Sequence, residues 1–178
     1  MGHVSGHRWL QANRRPNATV TTDAFPPAVT ALFEEYIEDR HGYLSWLGTR
    51  VDAVDYGRVV MSIPFDEKLT NEGPTGAGAE SVSAHVHGGV AATLIDTAGA
   101  VAQRTRFGDP LAGGLATITL NVNYLRPAAG DLTATAEVVR AGGSIGVSTA
   151  TVAGPAPDTG ELQPVATGQV AYRLFRDD

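Results

Sequence analysis

The sequence contains no cysteine, and this absence excludes three kinds of chemistry at once. A disulfide framework, a zinc site with thiolate ligands and a cysteine nucleophile are all ruled out. Any nucleophile must therefore be an oxygen atom, either of a side chain or of water.

Long hydrophobic runs and basic clusters are missing too. No segment approaches the roughly 18 apolar residues of a membrane-spanning helix, and the N-terminus lacks the apolar centre of a signal peptide. The 13 basic residues are outnumbered by 19 acidic ones and form no cluster that could neutralise a nucleic-acid backbone. We therefore expect a cytoplasmic, soluble protein that binds neither membranes nor nucleic acids.

The length of 178 residues suits a single domain. Residues 1–25 mix Arg, Asn, Thr and Pro without a period, which is typical of a flexible tail. The expected organisation is thus an N-terminal tail over residues 1–25 and one domain over residues 26–178.

The chain then divides into helical and strand-like segments. An amphipathic helix is predicted from Pro26 to near Arg40, with Gly42 as its stop. Two strands at 47–53 and 59–63 should pair as a hairpin, and residues 66–84 form a long loop rich in glycine and small polar residues. Four further strands are predicted at about 116–124, 132–140, 144–153 and 164–175.

The first of these four strands alternates cleanly between apolar and polar residues. The apolar face would carry Ala116, Ile118, Leu120, Val122 and Tyr124. The other face would carry Thr117, Thr119, Asn121 and Asn123.

The most informative stretch opens a helix of about 20 residues with His87-Gly88-Gly89 and places Asp96 about two turns in. The N–H groups of a first helical turn have no partner within the helix and lie at the positive end of its dipole. The amides of Gly88 and Gly89 can therefore point at an anion or a polarised carbonyl oxygen, with Asp96 as base or nucleophile nearby.

The two faces of this helix differ in an unusual way. One broad arc is apolar and consists of Val90, Ala91, Leu94, Ile95, Ala98, Val101 and Ala102. The other consists of Gly89, Ala92, Asp96, Gly99, Ala100 and Gln103, so something should pack against its small residues. An apolar arc of this width requires a sheet to cover it, which predicts an α+β fold in which one antiparallel sheet wraps around the helix.

This element order, the His-Gly-Gly helix start, the Asp nine residues after the His and the strand end Asn121–Pro127 together resemble the hotdog-fold acyl-CoA thioesterases. The branch it resembles contains phenylacetate-pathway and 4-hydroxybenzoyl-CoA thioesterases, and the resemblance covers about residues 26–175. It implies a hotdog fold whose sheet dimerises through its edge. It also implies an active site at the subunit interface of a homodimer, or of a tetramer formed as a dimer of dimers.

The resemblance assigns roles by position. Asp96 matches the carboxylate that activates water or attacks the thioester carbonyl, and Gly88 matches the glycine whose N–H polarises that carbonyl. Thr117 falls where relatives often place a hydroxyl that orients water. The implied reaction hydrolyses an acyl-CoA with an aryl, short or medium acyl chain, and it requires no metal and no cofactor.

The sequence departs from the family pattern at two places. Relatives carry an Asn six residues before the His, where this chain has Ser81; we predict Asn71 as the displaced equivalent, with Ser81 or Ser83 as replacements. A basic residue that relatives carry near position 142 is missing. The predicted substrate contacts are Gly89, Tyr124, Arg126 and Ser144, with Tyr124 and Leu120 lining the acyl tunnel.

Some alternatives stay open. His87 either hydrogen-bonds within the site or caps the helix start, and the spacing of His85 and His87 suits a metal but lacks a third ligand. A hotdog enoyl-CoA hydratase or dehydratase would pair one of these histidines with Asp96 as acid and base. A non-catalytic hotdog protein that binds acyl-CoA is the third alternative.

Overall fold

The computed structural model describes residues 25–71 and 85–176. Its helical elements are α1 (Pro27–Glu34), a π-helical segment (Glu35–Arg40), α2 (Gly42–Leu47), a short 3₁₀ turn (Glu67–Leu69) and α3 (Gly88–Arg104). Its strands are β1 (Arg50–Asp55), β2 (Arg58–Ile63), β3 (Gly114–Tyr124), β4 (Leu132–Ala141), β5 (Ile145–Pro155) and β6 (Leu162–Phe175). Most of the predicted tail and of the predicted 66–84 loop lies outside the described residues.

The strands form one antiparallel sheet in the order β1-β2-β4-β5-β6-β3. The sheet curves around α3, and its residues share one core with the apolar arc of the helix. This confirms the predicted α+β hotdog architecture. Strand β3 pairs on one side with β6 and forms one edge of the sheet.

The N-terminal helical region differs from the prediction in three ways. The predicted helix continues only as a π-helical segment beyond Glu34, and α2 begins at Gly42, where we expected the helix to stop. Leu44 and Leu47 of α2 are buried, so packing stabilises a helix too short to form alone. Phe25, which we assigned to the tail, is also buried and stacks on Phe33.

Helix α3 is 17 residues long rather than about 20. The structure buries the predicted apolar arc but also Gly99 and Gln103, which we placed on the opposite face. The Gln103 amide donates to the carbonyl oxygen of Arg140 at 3.1 Å and to the hydroxyl of Ser148 at 3.0 Å. Gln103 is thus a buried structural residue that ties α3 to the sheet.

Strand β3 does not keep the alternation that the sequence predicts. Thr117 pairs with Tyr172 and Thr119 with Ala171, so Ile118 is the extra residue of a β-bulge. Beyond the bulge the two faces exchange parity. Thr117 consequently points to α3, as Val122 and Tyr124 do, rather than to the opposite face.

The helices in the described ranges are all too short or too polar to cross a membrane.

Candidate active site

Asp96 lies in the middle of α3 and is half-buried beside the edge strand. The hydroxyl of Thr117 donates a hydrogen bond of 2.7 Å to its carboxylate. Burial raises the pKa of Asp96 above its ordinary value, and the Thr117 hydrogen bond opposes this shift. A half-buried carboxylate with a raised pKa is suited to accept and return a proton.

Two buried hydroxyls fix α3 on the sheet, one at Asp96 itself and one three residues further along the helix. Tyr172 of β6 donates to the backbone oxygen of Asp96 at 2.7 Å, and Ser148 of β5 donates to that of Gly99 at 3.0 Å. Burial keeps the pKa of Tyr172 far above its ordinary value, so the hydroxyl remains a donor. Gly99 is required here, because a methyl group on it would overlap the Tyr172 hydroxyl.

The start of α3 contains the predicted amide donors. The N–H of Gly89 donates to Nδ1 of His87 at 2.9 Å, so His87 caps the helix start, one of its two predicted roles. No described residue accepts a hydrogen bond from the N–H of Gly88. The ring of Tyr124 lies beside Gly88, where a methyl group would approach it to 3.0 Å. Among the described residues, the N–H of Gly88 therefore has no acceptor, whereas the N–H of Gly89 is hydrogen-bonded to His87.

Asn71 lies close to the same helix start. Its backbone N–H donates to the oxygen of His85 at 2.9 Å, and Thr70 forms an isolated antiparallel bridge with Val86. The N–H of His87 donates to the oxygen of Leu69 at 2.8 Å. These bonds place Asn71 two residues beyond Leu69, the partner of His87, while its role as the displaced Asn stays a prediction. Ser81 and Ser83 lie outside the described residues.

Gly88 and Asp96 are far apart within one chain. They are eight residues apart on α3, which corresponds to about 12 Å along the helix axis. A single carbonyl group cannot contact the amide of one and the carboxylate of the other in the same protomer.

Two of the four predicted substrate contacts, Arg126 and Ser144, are also separated within one chain. Arg126 donates to the oxygen of Pro164 at 2.9 Å, whereas the backbone oxygen of Ser144 accepts from the N–H of Leu174. Pro164 and Leu174 lie near opposite ends of β6, about 33 Å apart at the rise of an extended strand. One protomer therefore does not bring Arg126 and Ser144 together.

A cavity of about 550 Å³ opens beside Asp96 and Thr117. It lies between α3, the N-terminal helical segment and the turn before β3. Leu120 and Tyr124, predicted to line the acyl tunnel, are not among the described residues around this cavity. Both side chains are exposed on the edge strand β3 of the single protomer, so their place in an acyl tunnel between two subunits stays a prediction.

The described residues contain no group of three or more acidic or histidine side chains arranged to hold a metal ion. His87 precedes α3 and Asp96 follows nine residues later, so His87 and Asp96 of one chain do not form the acid–base pair of the hydratase alternative.

Comparison with known proteins identifies the family. The sequence model of the thioesterase superfamily matches residues 84–153, which include Gly88, Asp96 and Thr117. A Halobacterium salinarum protein named "Putative esterase" is 51% identical over 150 residues, which cover 83% of this chain and 93% of the relative. The chain belongs to the thioesterase superfamily. Membership in this superfamily supports hydrolysis of a thioester or ester.

Solved structures of the thioesterase superfamily have the same fold. A thioesterase family protein from Silicibacter pomeroyi is 25% identical, with a TM-score of 0.67 over 83% of this chain and 99% of that one. A thioesterase from Haemophilus influenzae is 19% identical, with a TM-score of 0.63 over 81% and 88% of the two chains, and shares the fold.

Sequence reasoning missed two parts of the site. Tyr172 and Ser148 lie in two of the predicted strands, but nothing in the sequence links them to Asp96, which is 76 residues away from Tyr172. The small residue at Gly99 was the available signal, since a glycine inside a helix indicates close approach of another group. The cavity depends on α2, which the sequence did not predict.

Proposed function

We propose that this protein is an acyl-CoA thioesterase in which Asp96 is the catalytic carboxylate. The observation that carries the proposal is the position of Asp96, half-buried with a raised pKa, hydrogen-bonded to Thr117 and open to an apolar cavity. An acyl thioester has an apolar acyl group beside a reactive carbonyl, which matches an apolar cavity with a carboxylate at its edge.

In the proposed reaction the Asp96 carboxylate takes a proton from water, and the water oxygen attacks the thioester carbonyl carbon. The carbonyl oxygen becomes an oxyanion, which the N–H of Gly88 stabilises; one such donor contributes about 3 kcal/mol. The carbon–sulfur bond then breaks, the acyl group leaves as the free acid, and the proton on Asp96 passes to the thiolate of coenzyme A. Thr117 holds the carboxylate in position throughout.

We also propose that each site is shared by two protomers, as a homodimer that associates further into a tetramer. The distance of about 12 Å between Gly88 and Asp96 supports this, because two antiparallel copies of α3 would bring Gly88 of one to Asp96 of the other. The exposure of Ile118, Leu120 and Tyr124 on the edge strand β3 supports it too, since long apolar edges are normally paired.

The remaining predicted residues have subordinate places in this proposal. Asn71 would lie near the thioester from the helix-start side, and Tyr124 would cover Gly88. Because Arg126 and Ser144 lie near opposite ends of β6, contacts with coenzyme A would come from different protomers. We expect the enzyme in the cytoplasm.

The proposal is tested by hydrolysis of aryl, short-chain and medium-chain acyl-CoAs, followed as thiol release. The chain contains no cysteine, so a thiol reagent reports only released coenzyme A. Asp96→Asn should lower kcat by about 10² to 10⁴-fold, whereas Asp158→Asn, in the exposed turn between β5 and β6, should retain wild-type activity. Unchanged activity in folded Asp96→Asn would remove Asp96 from the mechanism.

A further inference from the structure

We infer that the acyl group binds in the cavity beside Asp96 of a single protomer, and that this cavity takes a straight, apolar acyl chain of about eight to ten carbons. The inference rests on the proposed function, because it places the thioester at the Asp96 end. It adds the path of the acyl chain, the maximum length of that chain and the residues that determine both.

The cavity follows one stripe of α3. Its helical lining consists of Asp96, Thr97, Ala100, Val101 and Arg104, a spacing that keeps all five on one side of the helix. From Asp96 to Arg104 the stripe is about 12 Å long. An extended chain with carbon–carbon bonds of about 1.5 Å covers this distance with about eight to ten carbons.

The opposite wall is apolar apart from His41, and part of it is exposed. Phe33, Ile37 and Leu44 supply buried surface, while Leu32 and Tyr36 are 44% and 55% exposed. Apolar side chains exposed around a concave surface indicate a binding site for an apolar ligand. The volume of about 550 Å³ lies within the usual range for small-ligand sites.

A turn held by Arg104 lines the far end of the cavity. Arg104 donates to the backbone oxygen of Pro110 at 3.1 Å and to that of Ala112 at 3.4 Å, and Pro110 and Leu111 between them line the cavity. No carboxylate in the described ranges forms an ion pair with Arg104, so its hydrogen bonds serve this turn. A chain longer than the stripe would meet the turn and a cationic group, which limits the length of the acyl chain.

Ala100 lies halfway along this path and provides the sharpest test. Ala100→Met places a long side chain across the cavity, one turn beyond Asp96, without touching the thioester end. Leu111→Trp narrows the far end of the cavity. Because Leu111 is partly exposed, this second variant should fold even if Ala100→Met does not. Leu162→Trp is the matched control, because Leu162 is 72% exposed at the start of β6 and does not line the cavity.

The measurement is calorimetric binding of non-hydrolysable thioether analogues of acyl-CoA with two to fourteen carbons in the acyl chain. For the wild type, affinity should rise about fourfold per CH₂, the equivalent of ~0.8 kcal/mol, and level off at about eight to ten carbons. Ala100→Met should level off at shorter chains while keeping wild-type affinity for the two-carbon analogue. Leu162→Trp should match the wild type.

The possible failures are separable. If folded Ala100→Met and Leu111→Trp keep the wild-type chain-length profile, or if no analogue binds, the acyl group does not occupy this cavity and the inference is overturned. That result leaves the proposed function standing if Asp96→Asn still abolishes hydrolysis. Binding with the expected profile but no hydrolysis of any acyl-CoA would support the cavity and overturn the proposed function.

Discussion

The hydroxyl of Thr117 on the edge strand donates a 2.7 Å hydrogen bond to the carboxylate of Asp96 on the central helix. This contact exists because Ile118 forms a β-bulge, which turns Thr117 to the same side of the strand as Val122 and Tyr124. Bulges often occur beside active sites, where they redirect one side chain. The bulge thus places the Thr117 hydroxyl where it can hold the carboxylate oxygen of Asp96.

Replacing Thr117 by Val should move the pH dependence of the reaction. The hydrogen bond from Thr117 lowers the pKa of Asp96, so its loss raises that pKa further and shifts the acid limb of kcat/KM to higher pH. Activity near pH 7 should fall about tenfold. Thr117→Ser should restore both values, and a Thr117→Val profile identical to that of the wild type would show that the bond has no catalytic role.

Asp96 should cost the protein stability at neutral pH. Burial raises the pKa of Asp96 from the ordinary value of 3.8, because the folded protein favours the protonated carboxyl over the charged one. This preference stabilises the fold fully below pH 3.8, and the stabilisation is lost as the pH rises through the raised pKa. Asp96→Asn should therefore unfold at a higher temperature than the wild type near neutral pH, and the difference should shrink at about pH 4. Thermal unfolding of Asp158→Asn, compared at both values, should show no such trend.

Gly99→Ala should destabilise the fold, although alanine normally stabilises a helix by up to about 1 kcal/mol over glycine. The added methyl group overlaps the Tyr172 hydroxyl, a crowding that typically costs about 1–3 kcal/mol. In a Tyr172→Phe background the cost should be smaller, because the hydroxyl is gone. Denaturant unfolding of the two single variants and the double variant measures this coupling. Gly42→Ala, with open space around it, should be neutral.

The proposed dimer axis should pass through Asn121. Thr117 lies beside Asp96 and Tyr124 beside Gly88, so an axis that brings Gly88 to Asp96 of the partner must relate these two positions of β3. If Thr117 and the bulged Ile118 are counted as one position of the strand, Asn121 lies midway between Thr117 and Tyr124. Since the chain has no cysteine, Asn121→Cys should cross-link two protomers by a disulfide on oxidation.

Asn123→Cys is the matched control for this cross-link, because it lies on the same face two residues further along. Its two copies would be about 13 Å apart across the axis, beyond disulfide reach. Cross-linking of Asn123→Cys but not Asn121→Cys would show that the strands pair in another register.

The sequence predicted the parts of the molecule that have strong local signals. The glycine-led α3 and the succession of strands along the chain follow from periodicity, and Asp96 stands out as the one carboxylate on a face of small residues. Helix α2 was missed because six residues carry little helical signal without the packing of Leu44 and Leu47.

The missed features of the site depend on contacts between distant segments. The alternation of apolar and polar residues in the sequence gives no sign of the Ile118 bulge, because the pairing of β3 with β6 determines where the bulge lies. The burial of Gln103 likewise requires partners 37 and 45 residues away. The sequence therefore predicted Asp96 and Thr117 as site residues, whereas the bond between them and the contacts of Tyr172 and Ser148 with α3 came only from the tertiary structure.

Complementation between two inactive variants tests the shared site most directly. Asp96→Asn removes the carboxylate, and Gly88→Val crowds the Tyr124 ring and displaces the amide donor. If each site takes Asp96 from one protomer and Gly88 from the other, a mixed dimer has one intact site, and random mixing should restore about a quarter of wild-type thiol release. Activity that stays at the level of the separate variants, with mixed dimers shown to form, would contradict the account.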